Sequence, residues 1–495
     1  MQKSKFFTLE FWLPKIPLLS LIFVFFLPFI LININYDLGL FFIAFYIAYW
    51  TIRVFGSYHH IFKSYRRLLQ IEKTDFSKNE LIESGAKNLE HIVIVPIYTE
   101  PRNVIEDNVI SLVQTEYRYR ENITVLLATE ARVPTATEHA KYIVEKYKNS
   151  GIRIINIVHP ENLEGEGKVK GSNITYAIKE YEKMTKLDPK NTFVSTIDTD
   201  TKVEKKFFSI IAATFLSTDY RSQAIYQYTP LYSNNWHEGT FFARIIAIGT
   251  TLWQFLESQN PEFYRNFAVY GQTLECLHKA DYWSRTSIVE DGLQYWRAYF
   301  GWNGMFRIIP TPAICEMDLV DEVSVTRTVK SQYKQLRRWS WGCTDVEYVI
   351  PEMIKNKKIP FREKFRKTGY LILNHLFWAG GPLMMLFIGY VPGVIYSIDQ
   401  SIAAFTVPIA TSIIFTILVS TVIIPSLLSI HIMRRYVEFR WYNYIFNFFQ
   451  WLALPFLTLT MFSIPALESQ IRLFFNKRID GFDTTQKMER KSKKS

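Results

Sequence analysis

Three groups of side chains that could do chemistry follow one another along the chain: Asp198-Thr199-Asp200, Glu290-Asp291 and Gln335-Leu336-Arg337-Arg338-Trp339. Two carboxylates one residue apart at a strand end point the same way. They can share a hard cation, Mg2+ or Mn2+, that also takes phosphate oxygens; an ordinary Asx-turn gives the same triplet. Glu290-Asp291 opens a helical stretch that ends near Gly301-Trp302. A carboxylate there either caps the helix or serves as general base for a hydroxyl, and Asp291 is the candidate base. Gln335, Arg338 and Trp339 stand at i, i+3 and i+4, on one helical face. A guanidinium suits a leaving diphosphate and an indole suits the apolar face of a sugar ring. An interfacial helix with snorkelling arginines and an anchoring tryptophan shows the same pattern. Gly165-Glu166-Gly167-Lys168-Val169-Lys170-Gly171 is glycine-rich but in register with neither the P-loop nor the dinucleotide fingerprint. Lys168 is its phosphate-directed candidate, a plain turn the alternative.

These groups need a scaffold. From His91 the sequence alternates short β-branched runs with helical spacing: strands at 91–96, 123–127, 152–158 and 192–197, helices near 104–113, 138–148 and 174–184. That alternation implies a mostly parallel sheet covered by helices. Such sheets bind ligands beyond the carboxyl ends of their strands, where Pro96-Ile97-Tyr98, Thr129-Glu130 and Asp198-Thr199-Asp200 all fall. A helix from 331 to 348 is expected to carry Gln335, Arg338 and Trp339.

The 495-residue chain is too long for one ordinary domain, and its apolar residues concentrate at the two ends. Runs at 13–33, 38–55, 370–398, 402–433 and 444–466 reach or exceed the roughly 20 residues that cross a bilayer. The first two read as a hairpin turning at Ile34–Asp37, and Pro382, Pro392, Pro408 and Pro425 imply kinks in the later ones. Formal net charge is +11, with much of it beside these runs: Arg53, Lys63, Arg66 and Arg67 in front, Lys487 to Lys494 behind. Positive charge there marks the cytoplasmic side and attraction to anionic membrane lipid. Five crossings would leave the basic tail on the other side, so either one long run splits into two passes or one lies in the interface, and an internal tail with an even number of crossings is expected. No basic stripe with interleaved aromatics occurs outside the membrane flanks, so nucleic-acid binding is not expected. Cys276, Cys315 and Cys343 are too far apart for a zinc or redox motif, and no His-Glu-x-x-His occurs.

Taken together, the motifs resemble those of membrane-embedded family-two inverting glycosyltransferases, the cellulose, chitin and hyaluronan synthase type. Val93-Ile94-Val95-Pro96-Ile97-Tyr98-Thr99-Glu100 resembles that family's opening strand and Tyr-Asn-Glu turn. Gly167-Lys168 through Asn173 resembles its Gly-Lys…Leu-Asn segment, and Tyr226-Gln227-Tyr228-Thr229-Pro230 its Gln-Thr-Pro strand. Val289-Glu290-Asp291 with Gly301-Trp302, and Gln335 to Trp339, match its Thr-Glu-Asp…Gly-Trp and Gln-x-x-Arg-Trp blocks. The match covers roughly residues 90 to 345. Leu127-Ala128-Thr129-Glu130 departs from the family's Asp-Asp-Gly, with Glu130 in the place of the base-binding acid.

The resemblance implies an α/β, GT-A-type nucleotide-sugar-binding domain inserted between transmembrane helices, with interfacial helices. The expected divisions are a membrane hairpin (1–60), a linker (61–89), the transferase domain (90–320), interfacial helices (321–368), membrane helices (369–475) and a basic cytosolic tail (476–495). It implies a multi-pass cell-membrane hexosyltransferase with a cytosolic catalytic domain. Tyr98, Glu100, Glu130, Lys168, Asp198 and Arg338 would bind a nucleotide-diphosphate sugar, and Asp198 with Asp200 would hold Mg2+ or Mn2+. Gln335, Trp339 and Trp302 would bind the acceptor. The acceptor implied is a growing glycan. Transfer of one sugar to a membrane lipid, as in ceramide glucosyltransferase-like enzymes, and non-catalytic nucleotide-sugar binding are the alternatives.

Overall fold

The computed structural model describes residues 8–74, 84–395 and 402–479. Residues 480–495 of the expected basic tail therefore lie outside the described residues. The chain forms two compact units. Among the described residues one is built from 8–62 and 329–479, and the other runs Lys63–Thr328.

The central unit holds an eight-stranded sheet in the order β3-β2-β1-β4-β7-β6-β8-β5. Its first half follows the sequence: β1 (Glu90–Pro96), β2 (Ile123–Glu130), β3 (Arg153–His159) and β4 (Thr192–Thr196) pair in parallel. Every residue of β4 is buried, as a strand covered on both faces requires. The Lys170–Met184 helix packs Ile174, Ala177, Ile178 and Tyr181 inward, the i, i+3, i+4, i+7 stripe of an amphipathic helix.

The second half corrects the mostly parallel expectation. β7 (Tyr270–Thr273) runs antiparallel between β4 and β6 (Ala224–Leu231). β8 (Arg307–Glu316) is parallel to β6, and the two-residue β5 (Lys202–Val203) closes antiparallel on β8. Tyr270-Gly271-Gln272-Thr273 contains no β-branched run, so its pairing comes from tertiary context rather than local preference.

Among the described residues five helical segments are long and apolar enough to cross a membrane: Leu9–Ile34, Tyr36–Glu72, Phe361–Ile395, Ile402–Met433 and Trp441–Phe474. The first two turn about Asn35, whose side-chain oxygen accepts the Leu38 N–H at 3.0 Å. The second runs on as helix through residues expected to form a linker, to Glu72. Ile32, Ile43 and Ile47 pack with Met384, Met385 and Ile388. The fourth segment breaks after Ser420 and resumes at Ile423. The fifth passes through a widened π turn at Thr458–Ser463.

The helix expected over 331–348 is two helices, Val325–Ser340 and Asp345–Lys355, joined by a 3-10 turn at Trp341–Thr344. Gly342, a poor helix former, sits in that turn.

Candidate functional site

The Asp198-Thr199-Asp200 turn leaves β4 at the carboxyl end of the parallel strands. Hydrogen bonds to three other segments fix it. Thr199 donates its hydroxyl to the Pro96 carbonyl at 2.5 Å, tying the turn to the end of β1. Asn108 donates to the Asp198 and Thr201 carbonyls (3.2 and 2.8 Å), and Asn234 to the Asp200 carbonyl (2.9 Å). The two acidic side chains then face different surroundings. Asp198 is 35% exposed, whereas Asp200 is buried and accepts the Asp318 N–H at 3.3 Å.

Glu290 and Asp291 begin the Glu290–Gly301 helix. Asp291 accepts two backbone N–H groups, from Ala268 at 2.9 Å and Gly292 at 2.7 Å, while Asn266 donates to its carbonyl at 2.7 Å. Ala268 has φ of +51°, a left-handed conformation that L-residues rarely take. Gln227 holds it there from β6. Its Oε1 accepts the Phe267 N–H at 2.8 Å, and its Nε2 donates to the Phe267 and Val269 carbonyls at 3.2 and 2.8 Å. Gln227 is fully buried, and its bond to the Val269 carbonyl is shielded from water.

Lys170 joins the two acidic groups. Its ammonium is 2.6 Å from Asp198 and 3.9 Å from Glu290. Burial opposes its charge, but Asp198, Glu290 and Asp291 more than offset that and hold it above the usual lysine range. The Lys170–Met184 helix reaches this position because its first turn presses on the 284–290 segment. Gly167 N–H donates to the Arg285 carbonyl at 2.7 Å, and Ser172 donates its hydroxyl to the same carbonyl at 2.8 Å. At Gly171 a Cβ would stand 2.0 Å from the Ser284 oxygen and 3.2 Å from the Glu290 Cβ.

Two tyrosines report the convergence. Burial raises the phenol pKa of Tyr232, and the charges of Asp198, Asp200 and Asp291 raise it further. Burial does the same at Tyr270, followed by Asp291, Glu290 and Asp198. The expected metal pair and the expected base thus share one electrostatic neighbourhood. Asp198 and Asp200 could give a hard cation one or two oxygens each. Among the described residues no group of three or more His, Cys, Asp or Glu side chains forms a cage. A cation here fits as one completed by phosphate and water oxygens.

The remaining candidates fall in three places. Tyr98, Glu100 and Glu130 lie at the ends of β1 and β2. Glu100 accepts the Tyr98 N–H at 2.6 Å, Glu130 pairs with Arg132 at 2.5 Å, and the Arg132 guanidinium lies 4.9 Å from the centre of the Tyr98 ring. Glu130 and Arg132 line a cleft with His159, Glu166, Lys168 and Ser172. Lys168 is exposed on that cleft, and the lysine against Asp198 is Lys170, two residues on.

Trp302 stands at the far end of the helix that Glu290 opens, about 16 Å along the axis from Asp291 at 1.5 Å per residue. Its ring lies 5.6 Å from the Lys279 ammonium. The structure does not bring it to Asp291.

Gln335, Arg338 and Trp339 belong to the other unit. Tyr333 and Arg337 bond Glu468 at 2.7 and 2.9 Å, and Ser340 bonds Ser469 at 2.9 Å. At about 100° per residue, Gln335, Arg338 and Trp339 face the opposite way on that helix.

No family model matches the chain, and no curated protein matches it. Solved structures do. The mannosyltransferase PcManGT of Pyrobaculum calidifontis, in complex with GDP-Man and Mn2+, aligns over 88% of this chain and 100% of its own at 11% identity and a TM-score of 0.44. TarS of S. aureus (residues 1-349), in complex with UDP-GlcNAc, aligns over 74% and 91% at 14% identity and 0.36. GalNAc-T7 with UDP, GalNAc and Mn2+ aligns over 58% of each chain at 12% identity and 0.34. These likenesses are distant, and the functional reading rests on the geometry of the site.

Proposed function

We propose that the chain is a membrane glycosyltransferase that moves a sugar, with inversion, from a nucleotide-diphosphate sugar to a growing glycan. The observation that carries this reading is the gathering of Asp198, Asp200, Glu290 and Asp291 around Lys170 and Tyr232, beyond the carboxyl ends of the parallel strands of a mixed sheet. Mg2+ or Mn2+ held by Asp198 and Asp200 would neutralise charge on the leaving diphosphate.

The rest is work for side chains. Asp291, fixed by the Ala268 and Gly292 N–H groups, takes the proton of an acceptor hydroxyl. That oxygen forms its bond to the anomeric carbon as the bond to the diphosphate oxygen breaks on the opposite face, and the nucleoside diphosphate leaves with the electron pair. Lys170 supplies fixed positive charge beside the developing anion. Tyr98, Glu100, Glu130 and Lys168 hold the nucleotide in this reading. The sequence resemblance gives Arg338 to the diphosphate, and Gln335 and Trp339 to the acceptor. The five membrane-length helices support a multi-pass enzyme at a bilayer, with its catalytic unit on the cytosolic side.

The test is turnover of labelled nucleotide sugars by wild type and Asp291→Asn, with products sized on a gel. A ladder from wild type and a loss of about 10²–10⁴-fold in the variant are expected. Equal background turnover in both would end the enzymatic reading. A single glycolipid band would replace the polymer acceptor with a lipid.

A further inference from the structure

Close to Asp291 lies an aromatic pair that the catalytic reading does not use. Trp253 sits on the Phe241–Glu257 helix, whose neighbouring residues Leu252, Gln254 and Phe255 are buried, yet Trp253 is 42% exposed. Its ring lies 5.4 Å from that of Phe267, tilted by 49°. Phe267 is one peptide bond from Ala268, whose N–H holds the Asp291 carboxylate.

We propose that Trp253 and Phe267 form the platform on which the acceptor's terminal pyranose ring stacks, so that its hydroxyl meets Asp291. This rests on the transferase reading above. Three observations carry it. The first is rigidity: Gln227 binds both the N–H and the carbonyl of Phe267, so this ring is anchored through its backbone to the segment that fixes Asp291. A platform and a base on one rigid element keep a hydroxyl in register with the carboxylate.

The second is chemistry. A pyranose ring has an apolar face of C–H groups and a rim of hydroxyls, and an indole set beside a phenyl ring fits the face.

The third is the polar character of the two residues before Phe267. Asn266 is 1% exposed and donates its amide N–H to the Asp291 carbonyl, and the Arg265 guanidinium stacks at 3.7 Å on Tyr295 and 4.6 Å on Trp296. The segment that carries Phe267 is thereby tied by polar side chains to the helix that opens with Glu290 and Asp291, as an acceptor site beside the base requires.

The test uses the full-length protein in detergent, with cello-, chito- and manno-oligosaccharides as acceptor probes. Transfer to acceptor and transfer to water are measured separately. Trp253→Ala is expected to raise the acceptor KM by about tenfold, the loss of one ring-stacking contact. Donor hydrolysis and nucleotide binding stay unchanged, and Trp253→Phe keeps most of the affinity. An unchanged acceptor KM in Trp253→Ala overturns the platform.

A fluorescence measurement guards against a variant that simply misfolds. The emission of wild type minus that of Trp253→Phe isolates Trp253, and acceptor is expected to shield this signal from acrylamide. Quenching by brominated lipid in vesicles, without shielding by any oligosaccharide, assigns Trp253 to the membrane surface and overturns the proposal. Wild type that transfers no sugar at all refutes the transferase reading itself, which is a different failure.

Discussion

The ammonium of Lys170 stands 2.6 Å from an Asp198 oxygen and 3.9 Å from a Glu290 oxygen, so one largely covered cation joins the strand-end turn to the start of the Glu290–Gly301 helix. Replacing it with a side chain of similar length and no charge leaves carboxylates facing one another. Lys170→Met is expected to lower stability by about 1–3 kcal/mol, less than for a fully buried pair because Asp198 is 35% exposed. Turnover falls by roughly 10²-fold as fixed positive charge is lost beside the diphosphate. Thermal melts with steady-state kinetics check both. A variant as active and as stable as wild type removes Lys170 from the mechanism.

Asp200 is buried and keeps a hydrogen bond from the Asp318 N–H, a bond that an asparagine oxygen can also accept. Asp200→Asn should therefore fold, while losing the charge that a divalent ion needs. Nucleotide sugar with Mn2+ is expected to raise the melting temperature of wild type, because it binds only the folded state. EDTA should abolish the Mn2+-dependent part of that rise, and Asp200→Asn should lack it. A shift of equal size in variant and wild type argues against a metal at this turn.

Gln227 touches no substrate in the proposed reaction and is still expected to matter. Gln227→Leu leaves the part-buried Phe267 N–H and carbonyl without this partner and takes one of two donors from the Val269 carbonyl, which keeps the Tyr228 N–H. The expected cost is about 2–4 kcal/mol. A larger fall in kcat than in donor affinity is also expected, because Ala268 then holds Asp291 less firmly. Melting curves and kinetics at saturating donor separate the two effects.

Glu204 gives a pH test away from the site. Burial pushes its carboxyl pKa up to about 7 from an ordinary 4.5, against the lowering effect of the Ile314 N–H bonded to it at 2.6 Å. Between those two pH values the unfolded chain has released a proton that the folded chain keeps. Stability is therefore lost as pH rises through that window, and the penalty is complete above about pH 7. Glu204→Gln should match wild type near pH 4.5 and exceed it at pH 8 by about 1–3 kcal/mol. Melts at both pH values would show it; a constant difference would contradict it.

How much of this was legible depended on the kind of signal. The runs at 91–96, 123–127 and 192–197 are rich in β-branched residues, so strands β1, β2 and β4 could be read directly, with β2 continuing three residues further, to Glu130. β7 could not, because Tyr270-Gly271-Gln272-Thr273 has no pattern of its own and is a strand only through its neighbours. Lys168 and Lys170 look equivalent in a glycine-rich loop. Which one turns inward depends on where the helix begins, and it begins at Lys170. Trp302 illustrates an opposite lapse. It stands eleven positions after Asp291, a spacing visible in the sequence that already places the two about three turns of helix apart. The Ala268–Asp291 hydrogen bond links residues 23 apart through an unusual backbone angle, for which no local pattern exists.

Gly171 contributes no charge, no hydrogen-bonding side chain and no apolar surface. Yet a methyl group there would collide with the Ser284 oxygen, which lies 2.0 Å from where it would sit. The smallest substitution would act as a wedge under the first turn of the Lys170–Met184 helix, prising the lysine off the acidic pair while every charged residue remained in the sequence. Inactivity at this position would arise from misplacement, and a search confined to ionisable residues would miss it.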